Sequence, residues 1–252
     1  MASLDFAFGS LNVHRLDCDR DHHHPCDAWQ ERGPKVGGFI YDQLRCSVYA
    51  FQECLPQQAV DITDRLGWGD AENPAYVWDE NQNCLAYDRK KWTDVGVLQV
   101  SLGPVGSKAD QHRRSVVWVL LHHLSSGKRF WAGSAHLENG DSEERSREAQ
   151  RLVDVLPPKY PLALGIDRNS YTTSDDGPRA IFEDAGLEEL VPDNDREERS
   201  FNAWDYEGEA YDGKSIDGQH YQGLEVRGGR MEYTTNLEMT DHNALVGSLT
   251  IP

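Results

Sequence analysis

Six apolar segments of the sequence each carry, near one end, a polar residue of the kind found in hydrolytic sites. In chain order these residues are Asn12, Glu53, His136, the pair Asp167 and Asn169, Asp217, and the pair Asp241 and His242. Carboxylates and an amide are hard oxygen ligands of the kind that Mg²⁺ accepts. His and Asp supply the acid, the base and the hydrogen bonds for attack on a phosphate. The set therefore indicates metal-assisted hydrolysis.

Each of these residues also has an ordinary structural interpretation when it is taken alone. An Asn can be satisfied inside the core, an Asp can cap a helix or close a turn, and a Glu can face solvent. Asp241 and His242 alone are more typical of a turn than of a catalytic pair. In open α/β folds, however, ligand sites gather at strand ends. Six polar strand ends together therefore favour one shared site.

The elements that would position these residues follow from apolar periodicity. We expect strands at 4–13, 46–52, 83–88, 94–101, 115–124, 129–135, 161–166, 215–221, 224–227 and 243–251. Helical patterns occupy DAWQERGPKVGGFIYDQL, which its glycines are expected to break, PQQAVDITDRLG, GPRAIFEDAGL and DSEERSREAQRLVDVLPP. In the last of these, Ser142 is expected to cap the helix and Pro157 to stop it. Interleaved strands and helices indicate a layered α/β fold, and with no repeat or linker we expect a single domain over residues 1–252.

The charge balance argues against one way of binding nucleic acid. The chain has 25 Lys and Arg against 43 Asp and Glu, which gives a formal net charge of −18. Sequence-independent binding to a polyanion through a broad basic face is therefore disfavoured. An enzyme that reaches a phosphodiester through a metal and a few local cations is still compatible with this charge.

The compartment and the oligomeric state are inferred from what the sequence lacks. The first 20 residues contain Asp5, Arg15 and Asp17 and have no apolar stretch typical of a signal peptide. No apolar run approaches the roughly 18 residues of a membrane span. The five cysteines form no CxxC pair, and their odd number favours a reducing compartment. We therefore expect a cytoplasmic protein with no membrane span, and we favour a monomer.

In order and spacing, the polar segments resemble the motif series of the endonuclease/exonuclease/phosphatase superfamily, the DNase I-like proteins. The matching segments are Asn12, FQE at 51–53, SAHL at 134–137, DRN at 167–169, SID at 215–217 and TDH at 240–242. The resemblance extends from residue 6 to residue 250 and implies a four-layer α/β sandwich, in which two packed mixed β-sheets are flanked by helices. One departure concerns the family pattern Gly-Asp-x-Asn, because Ile166 stands at the Gly position and Gly165 lies one residue earlier.

The resemblance also implies the metal and its ligands. Glu53 would be the principal ligand of Mg²⁺ (or Mn²⁺). Asn12 and Asp241 would lie beside it and reach the ion directly or through water. The ion would neutralise phosphate oxygens and stabilise charge on the leaving oxygen.

The remaining motif residues are implied to act on the phosphate and the attacking water. His136 and His242 would hydrogen-bond the scissile phosphate, and Asp217 would orient His242. Asp167, positioned by Asn169, would orient or deprotonate the water. Whether Asp167 or a His is the base stays open at this point.

Two arginines are candidate substrate-binding residues. Arg114 matches the place where relatives carry a cation for a substrate phosphate, and a plain surface Arg is an equal alternative. Arg168 stands between Asp167 and Asn169, where it would add a phosphate contact or pair with a surface carboxylate.

The implied activity is that of a divalent-metal-dependent phosphodiesterase. A nuclease that hydrolyses nucleic acid is the first choice, and a small-molecule or lipid phosphatase of the same superfamily is the alternative. A binding module that keeps the fold without catalysis is disfavoured, because all six polar positions are filled.

Two further segments have open alternatives. CDRDHHHPCD at 18–27 offers Cys and His ligands for Zn²⁺ or Ni²⁺, but the spacing fits no common structural zinc pattern, so a solvated loop is preferred. The polar segment 189–214 reads as a surface loop, or as a substrate-facing loop in which Phe201, Trp204 and Tyr206 would stack.

Overall fold

The computed structural model describes residues 3–16, 28–69, 72–103, 114–170, 177–190, 200, 216–234 and 239–252. Within these residues, twelve strands form two six-stranded sheets, here named sheet A and sheet B. Sheet A contains, in spatial order, β11 (Glu225–Glu232), β12 (Ala244–Ile251), β1 (Leu4–Asn12), β2 (Val48–Gln52), β4 (Cys84–Tyr87) and β3 (Tyr76–Trp78). Sheet B contains β5 (Trp92–Ser101), β6 (Ser115–His123), β7 (Arg129–His136), β8 (Leu162–Asp167), β10 (Asp217–Gln222) and β9 (Glu188–Glu189). Both sheets are mixed, because β1 runs parallel to β2 and β7 runs parallel to β8 among antiparallel neighbours.

Four α-helices are formed by the described residues. They are α1 (Trp29–Phe39), which continues into a π-helical turn at Ile40–Leu44, α2 (Pro56–Leu66), α3 (Ser142–Asp154) and α4 (Gly177–Asp184). Among these helices, none combines the length and the apolar character needed to cross a membrane.

Three apolar clusters hold the four layers together. The first joins α1 and α2 to the outer face of sheet A, through side chains such as Val36, Ile62 and Phe51. The second lies between the sheets and is built from inward-facing residues of both, among them Phe8 and Phe130. The third joins α3 and α4 to the outer face of sheet B. The layer order is therefore helix, sheet, sheet, helix, and the predicted four-layer α/β sandwich is confirmed.

Gly165 explains how the two sheets come close beneath the polar strand ends. A Cβ at this position would lie 2.6 Å from Ala50 Cβ and 2.6 Å from Ser10 Oγ, both on sheet A. The carbonyl of Gly165 also accepts a hydrogen bond from Gln52 Nε2, at 3.2 Å. Because strand side chains alternate between faces, Ile166 then points into the helix-facing cluster and Asp167 points back between the sheets. The glycine one residue before the family position therefore serves sheet packing.

The strand predictions agree with the structure, with three differences. The strand expected at 224–227 continues to Glu232, and two short strands, β3 and β9, were not expected because three- and two-residue strands are too short to show alternation. The single-domain expectation for residues 1–252 stays a prediction.

Two helix predictions are wrong. The glycines do not break α1, because Gly33 and Gly37 lie where a Cβ would come within 2.9 Å of the side chains of Trp29 and Arg65. Close packing therefore uses these glycines inside the helix. The cap of α3 is Asp141 and not the neighbouring serine, since the Asp141 carboxylate accepts hydrogen bonds from the amides of the second and third helical residues.

Candidate active site

The strand register brings the polar strand ends to one edge of the sandwich. In sheet A the parallel strands β1 and β2 end side by side, so Glu53 follows next to Asn12. In sheet B, His136 is paired with Asp167 in β7 and β8, and Asp217 is paired with Asp167 in β10 and β8. The carboxyl ends of parallel strands lie at the same edge of a sheet, and ligand sites form there in α/β folds.

Asn12 joins the two sheets at this edge. Its Nδ2 donates a hydrogen bond to Glu53 Oε1 at 3.1 Å and another to Asp167 Oδ2 at 3.0 Å. Its Oδ1 accepts a hydrogen bond from the backbone amide of His14 at 3.0 Å. The amide group thus faces the two carboxylates with its N–H bonds. This arrangement lets Asn12 position both carboxylates, and its expected place beside a metal, in direct contact or through water, stays a prediction.

Glu53 is held as a carboxylate in a strained backbone conformation. Its φ of 52° lies in the left-handed region, which is uncommon for residues other than glycine. Burial would raise the pKa of Glu53, but the imidazoles of His136 and His14 and the hydrogen bond from Asn12 outweigh it and lower the pKa to about 2. The side chain is therefore ionised at neutral pH, as a ligand of a divalent cation must be.

Asp167 lies among two imidazoles and a second carboxylate. Its Oδ2 is 3.4 Å from His136 Nε2 and 3.8 Å from His242 Nε2. Burial and the nearby charge of Asp217 raise the pKa of Asp167 to about 7, against the opposing effect of His242 and the hydrogen bond from Asn12. A carboxyl group with a pKa near neutrality is suited to exchange a proton during a reaction.

His242 is oriented by Asp217 and not by the adjacent Asp241. Its Nδ1 is 2.8 Å from Asp217 Oδ2, whereas its Nε2 lies 3.8 Å from Asp241 Oδ1. Burial lowers the pKa of His242, but Asp217 and Asp241 raise it more, so it stands well above its usual value. With Nδ1 engaged by a carboxylate, Nε2 is the atom that faces Asp167.

Asn169 serves two neighbours with different atoms. Its backbone amide donates to Asp167 Oδ1 at 3.0 Å, which is the positioning that the sequence predicts. Its side chain turns the other way, with Nδ2 2.8 Å from His136 Nε2 and 2.9 Å from the carbonyl of Leu137. Its φ of 50° is left-handed, which Asn tolerates better than most residues. Asn169 therefore fixes both Asp167 and His136.

Ligand groups for a divalent cation lie on both sides of the site. On the sheet A side are the Glu53 and Asp241 carboxylates, and Thr240 Oγ1 donates to the carbonyl of Asn12 at 2.7 Å, which ties the Asp241 loop to β1. Asp167 and Asp217 of sheet B, and His242, which reaches them from just before β12 of sheet A, each offer one ligand atom within 4.8 Å of the others. The carboxylate oxygens fit Mg²⁺ or Mn²⁺ in kind.

The two candidate arginines are placed differently. The Nε of Arg114 is 3.9 Å from Glu138 Oε2, and the side chain is 13% exposed at the start of β6, the strand paired with β7 beside His136. Arg168 is buried, and its guanidinium lies 2.6 Å from Glu189 Oε1 and 3.2 Å from the carbonyl of Asp217. Of the two alternatives expected for Arg168, the structure shows the pairing with a carboxylate, that of Glu189, and the phosphate contact stays a prediction.

Sequence reasoning missed His14, whose Nδ1 is 3.5 Å from Asp241 Oδ1. The available signal was its position two residues after Asn12, but an isolated His at a strand end is not distinctive. The Cys/His segment at 18–27 and the aromatic residues Phe201, Trp204 and Tyr206 lie outside the described residues.

Comparison with solved structures identifies the fold. The chain is similar to an endonuclease/exonuclease/phosphatase family protein from Bacteroides thetaiotaomicron, with a TM-score of 0.80 and 15% identity over 100% of this chain and 96% of that chain. It is similar to a mannosyl-6-phosphatase from the same species, with a TM-score of 0.75 and 16% identity over 97% and 99%. It is also similar to the human Nocturnin catalytic domain, with a TM-score of 0.70 and 17% identity over 98% and 96%. The fold is that of endonuclease/exonuclease/phosphatase proteins, as the motifs predict.

The sequence comparisons add no closer relative. No family model matches the sequence, and no curated protein matches it either.

Proposed function

We propose that this protein is a divalent-metal-dependent phosphodiesterase, and that it hydrolyses nucleic-acid phosphodiester bonds. The observation that carries the proposal is the surroundings of Asp167. This buried carboxyl group accepts a hydrogen bond from Asn12 and lies within 3.4 Å of His136 and 3.8 Å of His242. An acid, a base and an ionised carboxylate at one edge of two sheets meet the requirements for attack of water on a phosphate.

The sheet A side of the site is assigned to the metal. Glu53 and Asp241 would hold Mg²⁺ or Mn²⁺, which when bound neutralises phosphate oxygens and the charge on the leaving oxygen. Asn12 keeps Glu53 and Asp167 at a fixed separation, because one Nδ2 donates to both. Asp241 is fixed in turn by the Thr240 hydrogen bond to the Asn12 carbonyl.

The sheet B side is assigned to the water and the phosphate. Asp167 orients the attacking water and takes its proton, and a pKa near 7 suits that exchange at neutral pH. His242, held by Asp217, and His136, held by Asn169, hydrogen-bond the scissile phosphate. Arg114, at the same end of sheet B, adds a cation for a neighbouring phosphate of the substrate.

A second candidate is a phosphatase acting on a small phosphorylated molecule. Two observations favour it: the net charge of −18 offers little to a long polyanion, and one structural neighbour is a mannosyl-6-phosphatase. A binding module without turnover is a third reading, and any metal-dependent hydrolysis would dismiss it.

The test is a substrate panel with matched variants. Plasmid DNA, RNA, bis(p-nitrophenyl) phosphate and a set of sugar phosphates are incubated with the protein in Mg²⁺, in Mn²⁺ and in EDTA. The proposal expects cleavage of the nucleic acids in metal and none in EDTA, with Glu53→Ala and His242→Ala inactive. Cleavage of the sugar phosphates alone would select the second candidate. Wild-type rates in both variants would show that the site assignment is wrong.

A further inference from the structure

His14 lies on the metal side of the site, although the sequence motifs give it no role. Its imidazole is buried, with a relative exposure of 7% for the residue, and its Nδ1 is 3.5 Å from Asp241 Oδ1. The same imidazole is among the charges that lower the pKa of Glu53. His14 is therefore in contact with Asp241, one of the two carboxylates that the proposed function assigns to the metal.

The fold holds His14 in a conformation that its side chain alone would not favour. Its φ is 54°, in the left-handed region, which costs a residue with a Cβ roughly 1 kcal/mol. Its carbonyl accepts hydrogen bonds from Arg32 Nη2 and from Gln58 Nε2, both at 2.9 Å and both from fully buried side chains. Its amide donates to Asn12 Oδ1. Strained residues cluster at active sites and ligand-binding sites, and unlike the exposed Arg45, which has a similar φ, His14 is buried beside a site carboxylate.

The 3.5 Å separation of His14 Nδ1 and Asp241 Oδ1 suits two ligands of one ion. Charge-assisted hydrogen bonds between nitrogen and carboxylate are shorter, at about 2.7–2.9 Å. Neighbouring ligand atoms around an ion, each about 2.1 Å from it, lie about 3 Å apart. A small closure of the pair around a cation would therefore satisfy both side chains.

Imidazole changes which cation such a site prefers. Mg²⁺ is bound by oxygen ligands and gains little from nitrogen, whereas first-row transition metals bind imidazole well. We propose that His14 is a nitrogen ligand of the active-site metal and makes this site select a transition-metal ion, with Mn²⁺ as the probe, over Mg²⁺. The inference rests on the proposed function for the assignment of Glu53 and Asp241 to the metal side.

The test measures metal binding in the whole protein and does not depend on turnover. Mn²⁺ affinity is obtained from the electron paramagnetic resonance signal of the unbound ion, and Mg²⁺ affinity from competition. Pulsed measurements on bound Mn²⁺ report nitrogen coordination directly. His14→Gly removes the imidazole and accepts the left-handed φ without strain, and His14→Asp replaces the nitrogen by oxygen. Arg45→Gly is the matched control, because Arg45 is exposed and has a φ of 53°.

We expect wild-type protein to prefer Mn²⁺ and to show nitrogen coordination. His14→Gly should lose about tenfold or more of the Mn²⁺ affinity, a smaller factor for Mg²⁺, and the nitrogen signal. His14→Asp should keep Mg²⁺ binding and lose the preference, and Arg45→Gly should match the wild type.

Two results would overturn the inference. They are an equal loss of affinity for both ions in His14→Gly, which means that the imidazole only positions Asp241, and a nitrogen signal that persists in that variant. Failure of the proposed function has a different signature, since it appears as absence of hydrolysis on the substrate panel. Nitrogen coordination that depends on His14 in a protein without hydrolysis would support the inference and refute the proposed function.

Discussion

Two aspartates at the same end of the sandwich are buried to a similar degree but have different neighbouring groups. Asp79 and Asp167 are 3% and 1% exposed, and burial raises the pKa of both. The groups that hydrogen-bond the Asp79 carboxylate are neutral donors. Its Oδ1 accepts from the amides of Asn81 and Asn83, and its Oδ2 accepts from Ser115 Oγ at 2.6 Å. This carboxylate is satisfied as part of a structural network that joins the two sheets.

Asp167 has charged neighbours instead. Asp217 raises its pKa and His242 lowers it, and His136 lies 3.4 Å away. The difference shows that burial and a raised pKa do not by themselves mark a reactive carboxylate, since both aspartates have them. A second carboxylate and two imidazoles, whose protons can be redistributed, distinguish the candidate site.

The largest effect on the rate of hydrolysis is expected from Asp217→Asn, which changes the charge beside Asp167. The variant keeps the shape of the side chain and removes the charge that holds His242 Nδ1 at 2.8 Å. We expect kcat to fall by about 10³-fold, since loss of the carboxylate that orients a catalytic His has effects of this order. Steady-state kinetics of Asp217→Asn, His242→Ala and the double variant provide the measurement. Losses that multiply in the double variant would show that the two residues act independently.

A different outcome is expected from Asp79→Ala. The substitution leaves two buried donors, the Asn83 amide and the Ser115 hydroxyl, and the half-buried Asn81 amide without this acceptor, so the free energy of unfolding should fall by about 3 kcal/mol. The rate of hydrolysis should stay within about threefold, as no reacting group is removed. Urea denaturation and kcat, measured on the same preparation, check the predicted loss of stability and the predicted rate. A loss of rate as large as that of Asp217→Asn, with unchanged stability, would contradict the structural role assigned to Asp79.

Glu148 tests whether a buried carboxyl outside the site responds to pH through stability alone. Its Oε2 accepts the amide of Glu138 at 2.7 Å, and burial raises its pKa from 4.5 to about 7. Because the pKa is higher in the folded state, the stabilising contribution is present below pH 4.5 and is lost as the pH rises to 7. Glu148→Gln should therefore gain stability relative to wild type over this range, by up to about 3 kcal/mol at high pH.

The measurement is the urea unfolding free energy of wild type and Glu148→Gln at a series of pH values. Glu143→Gln is the control, because Glu143 is on the same helix with its side chain 77% exposed. The control should show no such trend. A difference between Glu148→Gln and wild type that does not change with pH would contradict the assignment.

The smallest effects are expected at the two arginines. Arg114→Gln should raise KM about fivefold with little change in kcat, since a partly exposed cation contributes roughly 1 kcal/mol to binding a phosphate. Arg168→Gln should leave KM unchanged and lower stability, because it breaks the buried pair with Glu189. Steady-state kinetics and urea denaturation of both variants measure KM and the free energy of unfolding. The reverse pattern would identify Arg168 as a substrate-binding residue.

Much of the fold was predictable because apolar alternation is strong in the long strands. Strands β1, β6 and β8 begin and end within one residue of the expected positions. The short β9 was not predictable, since its two residues gain strand geometry only from pairing with β10. The glycines of α1 were misinterpreted because their role is packing: Gly33 accommodates the side chain of Trp29, one turn earlier in the same helix, and Gly37 accommodates Arg65 of α2, which only the tertiary fold brings there.

The residues gathered at the candidate site were predictable from type and spacing, but their directions were not. Nothing in the letters DRN indicates that Arg168 turns inward to Glu189 while Asp167 points between the sheets. The donor orientation of Asn12 depends on the amide of His14, a contact that requires the left-handed turn after β1. Side-chain direction is set by packing and hydrogen bonding, and the sequence does not state either.

The most direct test of the account is the hydrolysis rate of bis(p-nitrophenyl) phosphate by wild type and Asp167→Asn, each stripped of metal and then titrated with Mn²⁺. We expect no turnover by stripped wild type, recovery on addition of the ion, and a rate for Asp167→Asn that stays at least about 10³-fold lower although the variant is folded. Turnover by stripped wild type, or a recovered rate for Asp167→Asn equal to that of the wild type, would contradict the assignment of this site as a metal-dependent phosphoesterase centre.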